Sequence, residues 1–312
     1  MNINLFITRN ARAACRLGAL FFTCFYTTGA WCQPDMRPSG PNIADKGSAF
    51  YHFRVSTLDS ADGQRHYKIW TGIPNKKAPP AGFPVMYLLD GNAVMDRLSE
   101  GLLQTLSAQN PPVIVAVGYK TTLPFDLAAR TYDYTPPDGE KSARPGGRKG
   151  GGDAIFRRLL EEKIAPQAER GLKINSAGRG LWGHSLGGVF TLNAWLSSSF
   201  FHFYYPTSPT LNRQYDGVLA KLAKVEASRF CAKSLYVSEG DGQPGNNPHA
   251  PAAEVQDRVR ATLASLRQAG LSAAYWSWPE LSHGQTFDAG FRQALRHLAQ
   301  HGEERGACRQ AE

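Results

Sequence analysis

The sequence predicts an α/β domain with a mostly parallel central sheet, helices on both faces and an antiparallel hairpin at its N-terminal start. Three observations carry that expectation. Short, nearly unbroken apolar runs, "FPVMYLLDGN" and "PPVIVAVGY", suit strands buried on both faces, as in a parallel sheet covered by helices. Such runs alternate along the chain with segments of helical apolar spacing. The first two β-rich runs instead flank one short polar turn, the pattern of a hairpin. No period of about 20–50 residues recurs, which sets aside a repeat architecture.

Each element follows in order. After a Pro/Gly-rich stretch from Pro34 to Gly47, "YHFRVSTL" and "RHYKIWTGI" are separated by the Asp59–Gly63 turn and form the hairpin. The two buried strands come next. From Asp153 to Arg170, Ile155, Leu159, Leu160 and Ile164 sit at helical spacing. "GRGLWGH" reads as a strand, "LGGVFTLNAWL" as an apolar helix, "FFHFYYPTSP" as a strand, and "SLYVSEGDG" as a strand entering an acidic loop. A helix from about Ala252 to Gln268 places Val255, Val259, Leu263 and Leu266 on one face. The strand "SAAYWSW", a loop holding His283 and the helix "FDAGFRQALRHLAQH" complete the order. From about Thr121 to Gly152 no regular pattern is visible. A connection that long is usually functional or disordered, and here it is expected to form a wall or lid over the site.

At 312 residues and 42% hydrophobic, the chain can bury a substantial core. Its formal net charge is +9; Arg9, Arg12 and Arg16 supply three of those charges, so the remainder carries +6. That moderate basicity suits a small anionic substrate. Without a Lys/Arg run interleaved with aromatics it points away from nucleic acid. Residues 1–32 combine the three arginines, an apolar run from Leu17 to Tyr26 and small residues before Ala30 or Cys32, the layout of an export signal. The run is shorter than the ~20 residues a spanning helix needs. Export to the periplasm is expected, with an uncleaved inner-membrane anchor as the alternative, and residues 33–312 are the catalytic domain. Cys231 and Cys308 form either one disulfide or two thiols. No metal or organic cofactor is expected, and the oligomeric state stays open.

The chemistry centres on "GRGLWGHSLGGVFTLNAW", residues 178–195, where glycines frame Ser185 between a buried strand and an apolar helix. Glycines permit the tight turn that exposes a serine hydroxyl at the sheet edge, and the helix N-terminus adds partial positive charge. Ser185 is therefore the candidate nucleophile. It needs a base. Among eight histidines, His184 adjoins the serine but should point away from it, in a packing or turn-supporting role. His202, His297 and His301 fall on strand or helix, His52 and His66 in the hairpin, and His249 in a polar loop. His283, in "PELSHGQTF" after the last strand, stands where the chain order serine, acid, histidine puts the base of an α/β-hydrolase. The acid is expected after the penultimate strand, where "SLYVSEGDGQPG" holds Glu239 and Asp241; a merely solvated acidic loop is the alternative. The oxyanion hole is expected from the backbone N–H of Leu186 and that of Gly91 or Asn92, which follow the strand in "YLLDGNAVMD".

These residues together resemble the esterase D-like α/β-hydrolases, and within them the siderophore esterases that act on enterobactin/salmochelin-type trilactones. "VMYLLDGNAVMD" and "LWGHSLGGVFTLNAW" mark the broad family. Arg130 followed by Asp133-Tyr134-Thr135-Pro136 and the triple glycine of "GGGDAIFRRLLEEKIAPQAE" mark the siderophore branch, and "YYPTSPTL" and "SHGQTF" are further signposts of the resemblance. The resemblance runs from about Tyr51 to the final helix. It implies Ser185 and His283 as a pair that works with or without a carboxylate, which leaves Glu239 and Asp241 open. It implies Arg130 as a substrate-binding residue for catecholate or carboxylate oxygens, the alternative being a salt bridge to Asp133. Lys141, Arg144, Arg148 and Lys149 either attract an anionic ferric complex or form a solvated loop. The implied activity is hydrolysis of catecholate siderophore esters. Alternatives are an acyltransferase or short-chain ester/thioester hydrolase of the same fold, and a siderophore-binding protein without turnover.

Overall fold

The first two β-rich runs pair antiparallel as β1 (Tyr51–Asp59) and β2 (His66–Pro74), with Tyr51 opposite Pro74 and Asp59 opposite His66. β3 (Phe83–Leu89) and β4 (Val113–Tyr119) run parallel to each other, and β4 also pairs antiparallel with β2. β5 (Ile174–His184), β6 (Phe203–Thr207), β7 (Ser234–Gly240) and β8 (Ser272–Trp278) extend the sheet in parallel beyond β3. The order is β1-β2-β4-β3-β5-β6-β7-β8, eight strands with the predicted hairpin at one edge. This computed structural model describes residues 36–137, 147–211, 217–241 and 253–302. The leader, the part of the expected wall or lid that holds Lys141 and Arg144, and Cys308 lie outside the described residues.

The helices are α1 (Ile43–Lys46), α2 (Gly91–Arg97), α3 (Glu100–Ser107), α4 (Leu127–Tyr134), α5 (Asp153–Leu159), α6 (Ala165–Ala168), α7 (Leu186–Ser197), α8 (Gly217–Leu222), α9 (Ala253–Gln268) and α10 (Thr286–His301). Strand alternation sends Val85, Tyr87, Leu89, Val113, Val115, Val117 and Leu181 into one core, covered by α4 to α9. Met86, Leu88, Ile114, Ala116 and Trp182 enter the other, covered by α1 to α3 and α10. Two-sided burial explains why the central strands read as unbroken apolar runs. Trp182 stands edge-on to Phe287 and Phe291, at 5.1 and 6.0 Å between ring centroids. Burying each such ring contributes roughly 1.5–3 kcal/mol. The contact also fixes the first turn of α10, next to the loop that carries His283.

Two expectations are corrected here. The helix expected from Asp153 to Arg170 is interrupted by a π turn, Leu160–Ile164, and ends at Ala168. The segment from Thr121 to Gly152, expected to lack structure, contains α4. Asp126 caps it, accepting hydrogen bonds from the Ala128 and Ala129 N–H groups at 3.2 and 2.9 Å. Its buried residues are Arg130, Asp133 and Tyr134, so it carries no apolar stripe for a periodicity reading to find.

Candidate active site

Ser185 sits between β5 and α7 with φ 59° and ψ −116°, a conformation that costs a non-glycine residue on the order of 1–3 kcal/mol. Backbone hydrogen bonds hold it there. Its N–H donates to the Thr207 carbonyl at 3.1 Å, and its own carbonyl accepts from Val189 N–H at 3.1 Å and Thr210 N–H at 3.2 Å. The strain points the hydroxyl out of the C-terminal edge of the sheet, where Oγ lies 3.0 Å from Thr210 Oγ1. Leu186 opens α7, so its N–H has no partner within the helix and faces the turn.

The second strand-to-helix turn lies alongside. Asp90 follows β3 in the left-handed region, φ 53°, and Gly91 begins α2. A Cβ at Gly91 would stand 2.7–2.8 Å from the backbone of Ala116, Val117 and Gly118, so only glycine allows this approach. The Asn92 side chain is committed to β4: Nδ2 donates to the Tyr119 and Thr121 carbonyls at 3.1 and 3.0 Å, and Oδ1 accepts from Tyr119 N–H at 2.8 Å. What Gly91 and Asn92 can offer a reacting oxygen is therefore backbone N–H alone. A side chain at Gly187 would meet Leu89 and the Asp90 carboxylate at 3.5–3.8 Å, which places this turn beside the first turn of α7.

Arg130 is found in a buried ion pair with Asp90, not with Asp133. Its Nε and Nη2 donate to Asp90 Oδ1 and Oδ2 at 2.8 and 2.9 Å. Burial works against the guanidinium charge, but the adjacent carboxylate outweighs it and raises the Arg130 pKa. Asp90 N–H also donates to the Tyr134 hydroxyl at 3.1 Å, so α4 grips the Asp90–Asn92 turn through both Arg130 and Tyr134. Asp133 instead accepts from the Tyr67 and Tyr119 hydroxyls at 2.9 and 3.0 Å and faces Arg65 at 3.1 Å. Burial still pushes its carboxyl up to about 7.

His283 precedes α10, and its ring centroid lies 4.7 Å from that of His184, the residue before Ser185. The fold thus carries the base candidate to the Ser185 turn from 98 residues further along the chain. At Gly240 a Cβ would collide with the Leu281 carbonyl and with Thr286, so this glycine lets the histidine loop lie down on β7. Asp241 builds the same loop: it accepts from Glu280 N–H at 3.0 Å and from the Ser277 hydroxyl at 3.4 Å. Glu239 is buried at the side of β8, where it accepts from the Tyr275 hydroxyl at 3.3 Å. Burial pushes its carboxyl up to about 7, although Tyr275 and Arg260 oppose the shift. The hydrogen bonds of both acid candidates therefore run to β8 and to the turn that precedes His283.

A prediction separates these roles. A carboxyl raised from 4.5 in the unfolded chain to about 7 in the fold binds its proton more tightly in the native state. Its contribution is full below pH 4.5 and is lost as pH rises through 7. Glu239→Gln should therefore match the parent near pH 4.5 and exceed it at pH 8 by on the order of 3 kcal/mol in denaturant melts. Its kcat should stay within about threefold. A loss approaching 10⁴-fold, the scale for a lost triad acid, would instead make Glu239 the histidine's partner.

Thr210, Thr286 and Asp90 were not singled out as site residues by sequence reasoning. The hydroxyl-rich run "PTSPT" at the end of β6 signals Thr210 and the acidic start of "DGN" signals Asp90; Thr286 carries no such signal.

A serine on a strained turn after the fifth strand, followed in the chain by a histidine loop after the last strand, defines an α/β-hydrolase. The chain belongs to the Esterase family, whose model matches residues 60–295. It is 51% identical to an apo-salmochelin esterase of Escherichia coli O6:H1 across 89% of this chain and 90% of that protein. It is 35% identical to the ferri-bacillibactin esterase BesA of Bacillus subtilis across 54% of this chain and 61% of that one. Among solved structures, the enterobactin and salmochelin hydrolase IroE superposes with a TM-score of 0.75 at 50% identity, covering 83% of this chain and 99% of that chain. A structure of enterobactin hydrolase IroE in complex with DFP gives a TM-score of 0.76 at 51% identity over the same shares of the two chains. By these relatives the protein is a serine hydrolase.

Proposed function

We propose that the protein is an exported serine esterase that hydrolyses the ester bonds of a catecholate siderophore, with Ser185 as nucleophile and His283 as base. The observation that carries this reading is the strained Ser185 turn with the His283 loop bound to its neighbour, in a chain 51% identical to an apo-salmochelin esterase. His283 removes the Ser185 proton as Oγ attacks the ester carbonyl, and the carbonyl electrons move to oxygen. The N–H groups of Leu186 and of Gly91 or Asn92 stabilise that oxyanion. Its collapse expels the alkoxide, which takes the proton from His283. Water, deprotonated by the same imidazole, then hydrolyses the acyl-enzyme and frees Ser185. Arg130 acts through Asp90 by holding the oxyanion turn in place.

Export is supported by the leader sequence and by Cys231, which is disulfide-bonded, its partner lying outside the described residues. A ferric ion, where present, belongs to the substrate. The test follows products by chromatography when protein lacking residues 1–32 meets a cyclic catecholate trilactone, with and without iron, beside a short-chain nitrophenyl ester. Ring opening much faster than nitrophenyl ester cleavage is expected. Cleavage of the simple ester alone would sink the substrate assignment, and tight trilactone binding without cleavage would leave a binding protein.

A further inference from the structure

His184 is the last residue of β5, and strand alternation puts its ring on the same side as Trp182, beneath the first turn of α10. His184 is 7% exposed and its ring stands edge-on to Phe287 at 5.3 Å. Its Nε2 lies 2.8 Å from the backbone carbonyl oxygen of His283. The Thr286 hydroxyl donates to the same oxygen at 2.7 Å. A carbonyl oxygen only accepts, so Nε2 must carry the imidazole proton. The single Thr286 hydroxyl proton is spent on the His283 carbonyl, so Thr286 Oγ1 accepts from the Ser208 hydroxyl, 2.8 Å away. The proton count closes without an unsatisfied donor: Ser208 to Thr286, and Thr286 together with His184 to His283. Burial, then the neighbouring His283, holds His184 well below the usual histidine range, which keeps it a neutral single donor.

We infer that His184 is a positioning residue for the base: its Nε2–H, with the Thr286 hydroxyl, pins the backbone of His283 to the strand that carries the nucleophile. The inference rests on His283 being the base. A carbonyl is two bonds from its own Cα, so holding it sets where the imidazole starts. Both donors stand on elements that cannot move independently of the reaction centre, since β5 leads directly into Ser185 and α10 begins at Thr286. A resting displacement of even ~1 Å at a catalytic group can cost about 10²-fold in rate.

The experiment compares His184→Leu, which removes the donor, with His184→Gln, whose amide N–H reaches the position of Nε2. Both are assayed for kcat and KM on a nitrophenyl ester, so the outcome does not depend on the siderophore assignment, and thermal melts are recorded. His184→Leu is expected to lower kcat about 10–100-fold with KM within about twofold, and His184→Gln to recover most of the loss. An unchanged kcat in His184→Leu, or an equal loss in both variants, overturns the inference. Should His184→Leu fail to fold, Thr286→Val removes the second donor; a kcat loss of similar size at unchanged KM supports the clamp, and an unaltered kcat refutes it. His283→Ala runs beside them, and full activity there would overturn the base assignment itself.

Discussion

Ser185→Ala is expected to lower kcat by about 10⁴–10⁶-fold while leaving KM within a few-fold. Replacing one hydroxyl by hydrogen adds no volume, and alanine takes the same φ of 59° at a cost close to that of serine. The lost Oγ–Thr210 hydrogen bond is partly exposed, so the melting temperature should barely move. His283→Ala should fall by a similar factor. The double variant should be little worse than the more damaging single one, because nucleophile and base act as a unit. Covalent labelling gives an independent readout. An organophosphate should add one phosphoryl group to the parent, visible by mass, and none to Ser185→Ala. Labelling of the alanine variant, or activity within about tenfold of the parent, would move the nucleophile elsewhere.

Asp90→Asn is expected to destabilise the protein by about 3–5 kcal/mol, the scale for removing one partner of a buried ion pair. Asp90 is buried and holds two nitrogens of Arg130, so the amide leaves a buried guanidinium without its counter-charge. For a domain of this size each kcal/mol lowers the melting temperature by roughly 2–4 °C, so a drop near 10 °C is the reading in a thermal scan. Asparagine tolerates the left-handed backbone at this position, so the variant tests the charge rather than the turn. The pair Asp90→Asn with Arg130→Met addresses the purpose of the bridge while keeping a residue that tolerates the left-handed backbone. Removing both charges should restore most of the stability. If the bridge serves to hold the oxyanion turn, kcat stays depressed in that stable double variant. Recovery of both stability and kcat would show that any close-packed pair suffices.

The central strands were legible because each is buried on both faces: Phe83–Leu89 and Val113–Tyr119 have no polar face to obscure their apolar runs. The serine turn was legible because glycines bracket it at the junction of two recognisable elements. α4 was not, because the face it buries is Arg130, Asp133 and Tyr134. Those residues are satisfied by Asp90, Tyr67 and Tyr119, which are distant in sequence except for Tyr119. A helix held by polar partners leaves no apolar period. His184 was expected to support the turn, but its partner, the carbonyl of His283, lies 99 residues away.

The sequence by itself determined the alternation of strands and helices, the serine turn and the order of Ser185 and His283 along the chain. These features are encoded by local periodicity and by glycine, whose conformational freedom acts within a few residues. Only the tertiary structure decided which charge Arg130 answers, where Glu239 and Asp241 direct their carboxylates, and that two donors converge on the backbone of His283. Those outcomes depend on which polar groups meet once the sheet has excluded water. Burial makes each unpaired group costly, so partners are chosen by the packing of distant segments and not by their spacing along the chain.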